Sequence, residues 1–544
     1  MKNEFLGKEI SGPFTVPSGI VTCSTNIIRR FFELVPEVGV LTTKSIGPEP
    51  RKGYREPILT QYEPGSFTNA VGLTNPGVNR SAQLLAELYI PSNRFLLISI
   101  FGASIEEYVD VAKQLAPHGD GLELNLSCPH AKGLGMAMGQ DPALVEEIVS
   151  SVKAAVNVPV VAKLTPNVPD IGVIAEAAEK GGADAICAIN TMGPEQYDSH
   201  GFPILSNKKG GVSGKGIMSA ALEGVSRIRE AVRCPIIACG GISGANDVRQ
   251  FLQSGASIFG IGSALVGMTT AEIATYFQVL TKDLENQTDE SENLIRYDVD
   301  MEFRPVKLVK NERITEDICI LTFDRKVEIQ AGQFVFLWIP GLGEKPFSAL
   351  VDDPFKLAVI NLGSFTDELM TLEPGTEAYV RGPHGNPVEP PNNSRIIAVA
   401  GGTGLAAVYQ LARDFGNTDI YFGARSKDRL YFLEESTDVS NLHISTDDGS
   451  YGAKGLITEL LERNLEQMSL EERESLVFYN CGPAPMVRAA EELQRKYVHP
   501  NRIHNAIDYL TKCGVGICGA CDSPDGRRLC VDGPFLDAAD AATI

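Results

Sequence analysis

Residues 121–130 read GLELNLSCPH. Leu122, Leu124 and Leu126 recur at every second position, the period of a strand. The run ends in Asn125, Ser127 and Cys128, so a buried strand opens into a polar, thiol-bearing mouth. Parallel α/β proteins place their chemistry at such strand ends. A single cysteine is equally compatible with a small buried hydrophobe. The neighbours point to function instead: Asn125 donates and accepts, Pro129 fixes the turn, and Gly133, Gly135 and Gly139 leave the following loop poor in side chains. A thiol with an ordinary pKa of about 8.5 needs little adjustment to act as a general base near neutrality.

Working outward, seven more apolar runs share this character, at 14–20, 39–46, 94–102, 158–165, 185–192, 235–242 and 257–265. Amphipathic stretches such as 104–116, 141–156 and 218–232 separate them. Eight β/α repeats over about 250 residues predict an α/β TIM barrel with its site at the C-terminal strand ends. A doubly wound sheet is the competing architecture. Polar residues gather where the barrel needs them: Ser18, Lys44 with Ser45, Asn125 with Cys128, Lys163, Asn190 with Thr191, Gly240-Gly241, and Gly262-Ser263. The lysines of LTTK and VVAK each follow an apolar run, which points to an anionic partner. ACGGIS (238–243) and GIGSAL (260–265) offer backbone N–H groups ahead of helices, a phosphate cradle.

With GQDP (139–142), the opening decapeptide resembles the FMN-dependent dehydrogenases of dihydropyrimidines. FTNAVGLTNPG (67–77) resembles the substrate loop of class 1 dihydroorotate dehydrogenases, and the likeness covers nearly all of residues 1–285. The resemblance implies that Cys128 takes a proton from substrate C5 while C6 passes hydride to the flavin. Lys44 would meet a substrate carboxylate and the flavin together. Asn69, Asn125, Asn190 and Thr191 would hydrogen-bond the pyrimidine edge, with Ala70, Val71, Gly72 and Leu73 completing the loop around it. For FMN it implies Ser18, Lys44, Ser45, Ser99, Asn125, Ile189 and Gly214, with Lys163 at the N1–O2 edge. Gly240, Gly241, Gly262 and Ser263 would hold its phosphate. It also implies a homodimer formed through the barrel domain. Two positions depart from the pattern. His130 stands where many dihydroorotate dehydrogenases carry Asn and where dihydrouracil/dihydrothymine dehydrogenases carry His, and Ser99 stands where the NAD-linked class often has Asn.

Beyond residue 285 the chain changes character. Residues 281–300, TKDLENQTDESENLIRYDVD, are acidic and lack periodicity, which reads as a linker. Residues 304–390 alternate in short runs broken by Gly and Pro, the pattern of a small antiparallel barrel. There KPFSAL (345–350) and NLGSFTDEL (361–369) resemble the two flavin contacts of the ferredoxin-reductase superfamily. That likeness implies FAD on Lys345, Pro346, Phe347, Ser348, Asn361, Gly363, Ser364 and Thr366, with Lys345 replacing the usual Arg and its bidentate geometry. IIAVAGGTGLAAVYQL (396–411) reads as strand, Gly-rich turn and helix. With CGPAPM (481–486) it resembles the family's NAD(P) site, implying Gly401, Gly402, Thr403, Gly404, Cys481, Gly482 and Pro483 as NAD contacts. Arg425 and Lys427 are candidates for a 2′-phosphate, so NAD and NADP both stay open.

Cys513, Cys518, Cys521 and Cys530 give C-x4-C-x2-C-x8-C, the plant-ferredoxin spacing for a [2Fe–2S] cluster. Zinc is the alternative, although its knuckles usually come as two short C-x2–4-C pairs. Residues 303–544 thus resemble the electron-transfer subunit of the NAD-linked (class 1B) dihydroorotate dehydrogenases, here fused to its catalytic partner. The expected organisation is an FMN barrel (1–285), a linker (286–302), an FAD β-barrel (303–392), an α/β nucleotide domain (393–504) and a cluster domain (505–544).

At 544 residues, 43% hydrophobic and 22% charged, the composition is that of a globular enzyme of several domains. A net charge of −21 argues against nucleic acid or an anionic membrane as partner. No apolar run reaches the ~20 residues of a membrane span, and MKNEFLGKEI has no signal core, so a cytoplasmic location is expected. The eleven cysteines then read as thiols or metal ligands. The redox parts predict oxidation of dihydroorotate with electrons passing from FMN through the cluster and FAD to NAD+. A dihydropyrimidine dehydrogenase on the same scaffold, and a reductase module serving an external acceptor, are the alternatives.

Overall fold

The computed structural model describes residues 4–127, 138–507 and 510–538. The chain divides into two compact units, Met1–Val299 with Val515–Asp522, and Asp300–Gly514 with Ser523–Ile544.

In the first unit eight strands close a barrel in chain order: Phe14–Val16, Val40–Thr42, Phe95–Ile100, Gly121–Asn125, Val160–Lys163, Ala185–Ala188, Ile236–Cys239 and Ile258–Gly260. Every neighbouring pair is parallel, so the TIM barrel holds and the doubly wound alternative falls. Most strands stop short of the C-terminal end of their apolar run, because the residues that follow leave the ladder to form the mouth. The expected helices surround the barrel at Ile105–Leu115, Pro142–Ala155 and Met218–Ala231, the first two capped by the side chains of Ser104 and Asp141.

Strand register fixes what points inward. Leu97 pairs with Gly121, Ser99 with Glu123, Glu123 with Val161, and Lys163 with Cys187. Leu97, Val161, Cys187, Ile237 and Cys239 pack in one interior cluster. Glu123 and Asn125 share that inward face, and Leu122 and Leu124 face the helices instead.

A second sheet lies outside any sequence expectation. Leu59–Glu63, Ser66–Asn69, Gly210–Gly214 and Met192–Glu195 pair antiparallel and roof the barrel mouth. Glycine is required where this roof meets the loop after the sixth strand: a Cβ on Gly211 would lie 2.2 Å from Thr191 Oγ1. Gly214, at φ +92°, could carry no side chain either, since its Cβ would sit 2.1 Å from the Gly65 carbonyl oxygen.

The expected linker is corrected. Helix Thr270–Asn286 runs through its first residues, a 3-10 turn follows at Glu290–Leu294, and the remainder to Val299 belongs to the barrel unit. The acidic residues that suggested disorder are engaged here. Asp283 accepts from Ser291 N at 2.7 Å, Arg296 reaches Glu272, and Gly65 N donates to the Tyr297 carbonyl at 2.8 Å.

In the second unit, seven antiparallel strands form one sheet in the order Gly343–Phe347, Phe334–Ile339, Glu377–His384, Arg304–Arg313, Ile318–Phe323, Phe355–Ile360, Val351–Asp352. A second sheet orders Ala453–Lys454, Asn441–Thr446, Thr418–Ala424, Arg395–Gly401, Leu476–Gly482, Ile503–Ile507 and Leu536–Asp537, parallel except at the last pair. Strand order reverses at Arg395–Gly401, which makes its C-terminal end a topological switch point. The segment expected as a separate cluster domain, 505–544, is split, with Val515–Asp522 grouped in the barrel unit.

Candidate active site and nucleotide sites

A cavity of about 370 Å³ opens at the C-terminal ends of the barrel strands, beneath the roof. All the expected substrate contacts in the described chain line it: Lys44, Asn69, Ala70, Val71, Gly72, Leu73, Asn125, Asn190 and Thr191. Cys128, Pro129, His130, Gly133 and Gly135 lie outside the described residues. Of the expected FMN contacts, Ser18, Lys44, Ser45, Asn125, Lys163 and Ser263 line the cavity. Ser99, Ile189, Gly214, Gly240, Gly241 and Gly262 do not. Ser99 is fully buried and acts from behind, its hydroxyl 2.9 Å from Ser45 Oγ. Gly214 and Gly241 meet each other, a Cβ on Gly241 falling 2.8 Å from the Gly214 carbonyl oxygen.

Polar side chains run as a connected series across the floor. Ser18 Oγ lies 3.1 Å from Ser45 Oγ, Asn125 Nδ2 donates to Ser45 Oγ at 3.1 Å, and Asn190 Nδ2 donates to Asn125 Oδ1 at 3.4 Å. The Asn125 oxygen already accepts from Ser127 N and Asn190 Nδ2, so Asn125 keeps one amide hydrogen for a ligand, and Asn190 keeps both a hydrogen and an oxygen lone pair, which together suit a pyrimidine edge. Among the described residues, three lysines line the cavity, Lys44, Lys163 and Lys209, and no Asp or Glu does. The half-buried Lys44 has no ion-pair partner among the described residues. Lys163 is different. Burial works against its charge, but the Glu123 carboxylate, 3.8 Å away, raises its pKa above that of an ordinary lysine.

Several lining residues carry no signal that sequence reading used. Asn167 Nδ2 donates to Thr165 Oγ1 at 3.0 Å, and its Oδ1 accepts from Gly193 N at 3.1 Å, clamping the loop after the sixth strand. Their signal was present, since TPN (165–167) follows VVAK (160–163) after a single leucine at a strand end. Tyr54, Asn207 and Lys209 belong to the roof and became visible only with it. Ile517 and Cys518 also line the cavity, in a segment held to the barrel by Val21 N donating to the Ile517 carbonyl at 2.8 Å.

In the second unit, Gly401–Gly404 and Cys481–Pro483 meet at the switch point. A Cβ on Gly404 would sit 2.0 Å from the Cys481 carbonyl oxygen, and one on Gly401 would sit 2.7 Å from Met486 Sδ. Gly402 takes φ +57°, and the helix Gly404–Phe415 starts there, so the turn is shaped for a pyrophosphate. Thr403 is its N-terminal flanking residue. Lys345, Pro346 and Phe347 end the strand Gly343–Phe347, and Ser348 follows it. At the other expected FAD segment Thr366 Oγ1 accepts from Gly363 N at 3.1 Å, Asn361 bonds Asp367, and Ser364 opens a short helix. Open space surrounds the missing Cβ of Gly363.

Cys513, Cys518, Cys521 and Cys530 are all buried. Gly514, Gly516 and Gly519 take φ values of +80°, +75° and +63°, so the loop between them turns without side chains. Buried thiols are the donor type an iron–sulfur cluster takes. Among the described residues, no group of three or more His, Cys, Asp or Glu side chains is arranged to hold a metal ion. No helix among the described residues is long and apolar enough to cross a membrane.

A family model described as dihydroorotate dehydrogenase matches residues 1–280, just over half of the chain, and one described as oxidoreductase NAD-binding domain matches 398–492. The dihydroorotate dehydrogenase B (NAD(+)) catalytic subunit of Pyrococcus horikoshii is 44% identical over 264 residues, 48% of this chain and 85% of its own. The protein of the same name from Methanocella arvoryzae is 42% identical over 260 residues, with coverages of 48% and 85%. A solved NADH-dependent reduced ferredoxin–NADP oxidoreductase aligns over 43% of this chain and 88% of its own at 26% identity, with a TM-score of 0.39.

Proposed function

The chain belongs to the dihydroorotate dehydrogenase family and is an oxidoreductase, and from that premise we propose that it oxidises dihydroorotate to orotate with NAD+ as final acceptor. The observation that carries the reading is the cavity: amides for a pyrimidine edge and, among the described residues, a half-buried lysine without a counter-ion and no lining carboxylate. Such a site selects a planar, hydrogen-bonding anion.

Asn69, Asn125, Asn190 and Thr191 hold the ring edge, and Lys44 faces the carboxylate that distinguishes dihydroorotate from dihydrouracil. Cys128, placed by sequence three residues beyond Asn125, takes the C5 proton on its thiolate. FMN, when bound, supplies the acceptor for the hydride leaving C6. The residues beside the cavity suit it: Lys163 offers a fixed positive charge, and Gly240, Gly241 and Gly262 stand before the helices at the last two strand ends. The roof excludes water from this chemistry.

The further redox parts belong to the same proposal. FAD would lie on Lys345–Ser348 and Asn361–Thr366, NAD on Gly401–Gly404 and Cys481–Pro483, and a [2Fe–2S] cluster on Cys513, Cys518, Cys521 and Cys530. The C-terminal cysteine spacing and the switch-point turn support this order of FMN, cluster, FAD and NAD+. A homodimer through the barrel and a cytoplasmic location complete it, the former checked by light scattering of the purified protein.

The test is a substrate screen by NADH absorbance. Dihydroorotate-dependent NAD+ reduction supports the reading. Preferential turnover of dihydrouracil would transfer the site to dihydropyrimidine chemistry, and diaphorase activity without any dihydropyrimidine turnover would leave only a reductase module.

A further inference from the structure

The interior of a TIM barrel is normally filled by branched apolar side chains in layers. Here one layer is titratable. Glu123 and Lys163 face inward from adjacent strands, and Cys187 and Cys239 face them from the sixth and seventh, their sulfurs 3.8 Å apart. Glu123 is 1% exposed, does not line the cavity, and leaves Oε1 without a hydrogen-bond partner, with Lys163 Nζ 3.8 Å from that oxygen. A buried carboxylate with an orphaned oxygen is costly, and nothing in the fold requires one here.

We propose that Glu123 is a positioning residue for the flavin chemistry: it keeps the Lys163 ammonium charged in the barrel core, and so governs the flavin's reduction potential through that lysine. The inference rests on the barrel cavity holding FMN with Lys163 at its N1–O2 edge, the part of the ring that becomes anionic on reduction. A lysine this deeply buried sheds its proton when its counter-charge is removed, because desolvation penalises the cation. The other titratable groups facing it are the two thiols: the contact with Cys239 and burial hold Cys187 well above the ordinary thiol range, while the Cys187 contact and the Lys163 charge, against burial, lower Cys239, so Glu123 is the one carboxylate among the groups that face the lysine. The long 3.8 Å separation fits this role. It leaves Lys163 free to turn its charge toward the cavity it lines.

The proposal predicts a sign that direct electrostatics does not. Removing a negative charge near a flavin should raise its potential. If Glu123 works by holding the proton on Lys163, Glu123→Gln removes the positive charge as well, and the potential falls. Anaerobic dye-coupled titration of the full-length holoprotein resolves its flavin midpoints, and the one that moves when orotate is added belongs to the barrel. Lys163→Met should lower that midpoint by about 30 mV or more, a tenfold change in a two-electron equilibrium. Glu123→Gln should lower it too, and the double variant should fall no further than Lys163→Met. Glu123→Asp, which keeps the charge and lengthens the gap, should give a midpoint between wild type and Lys163→Met, and it serves if the Gln variant does not fold. A raised or unchanged midpoint in either Glu123 variant, or an additive double variant, overturns the proposal. Absence of any orotate-sensitive flavin in the wild type would instead overturn the reading on which it rests.

Discussion

Lys44→Ala should collapse the discrimination between dihydroorotate and dihydrouracil, and the structure sets the scale of the collapse. Orotate-type substrates differ from uracil-type ones by a single carboxylate, and Lys44 is the half-buried cation in the cavity without a partner among the described residues. At about 3 Å and an effective dielectric near 20, the gross attraction to a carboxylate is about 5–6 kcal/mol. Desolvation of the two ions offsets most of this, leaving the ~1.5–3 kcal/mol usual for a hydrogen bond to a charged group. A substrate lacking the carboxylate also buries Lys44 against nothing, at a further cost of ~1–3 kcal/mol. Together these give a preference of about 10²–10⁴ in kcat/KM, so the wild type should favour dihydroorotate by about 10³, the middle of that range. Lys44→Ala removes both contributions, and the ratio should narrow by ~10² or more. Initial rates of NAD+ reduction with each substrate, in wild type and variant, measure it. The ratio is the right quantity because Lys44 can also touch the flavin and depress both rates alike. Comparable wild-type turnover of dihydrouracil, or an unchanged ratio in the variant, refutes the reasoning.

Cys128→Ser should bind FMN normally yet slow flavin reduction by dihydroorotate at least ~100-fold near pH 7, with the deficit shrinking as pH rises; stopped-flow absorbance at both pH values reads this. Cys518→Ser should lose iron and acid-labile sulfide and stop dihydroorotate-linked NAD+ reduction while substrate still reduces FMN; zinc without sulfide in the wild type would remove the electron path. Gly404→Ala drives a Cβ to 2.0 Å from the Cys481 carbonyl oxygen, so NADH-dependent reduction of an artificial acceptor should fall at least tenfold with dihydroorotate-dependent FMN reduction intact. Burial opposes the charge of Asp419, yet hydrogen bonds involving His443, Arg395 and Asn441 hold its carboxyl at about 2. Its stabilisation is therefore present above the ordinary carboxyl pKa and is lost as pH falls toward 2. Asp419→Asn should cost about 1–2 kcal/mol at pH 7, and the difference from wild type should shrink below pH 4 in denaturant titrations followed in the nucleotide unit.

The barrel was legible because its signals are local. Each strand carries its own apolar run, and the cavity-lining Ser18, Lys44, Asn125, Lys163 and Asn190 sit within two positions of a strand end. The roof was not, because its strands come from 59–69 and 192–214 and pair only through the closed barrel beneath them. Gly210–Gly214 reads GGVSG, a poor strand by propensity, and is held as one by its ladder to Ser66–Asn69. Lys209 and Asn207 were missed for the same reason. The acidic run after residue 281 misled in the opposite way. Its carboxylates suggested a solvated linker, yet Asp283 caps the following turn and Glu292 accepts from Tyr297 Oη. Composition does not distinguish a charge with a partner from one in water.

The opening decapeptide carries the sharpest version of this limit. Its leucines announce a strand, and the natural inference is that they fill the barrel while the residues between them are exposed. Register inverts that. Leu122 and Leu124 pack against the helices, and Glu123 and Asn125 point to the axis, where Asn125 joins the site and Glu123 lies beneath it. In a strand buried on both faces, alternation gives the period but not which face is the core. Only pairing with a neighbour of known orientation decides it, here Val161 in the interior cluster. The residue that the leucine pattern alone leaves as filler is thus the one the structure places 3.8 Å from Lys163. Where polar residues interrupt an apolar strand in a closed barrel, the inward face is the place to look for what tunes the chemistry above it.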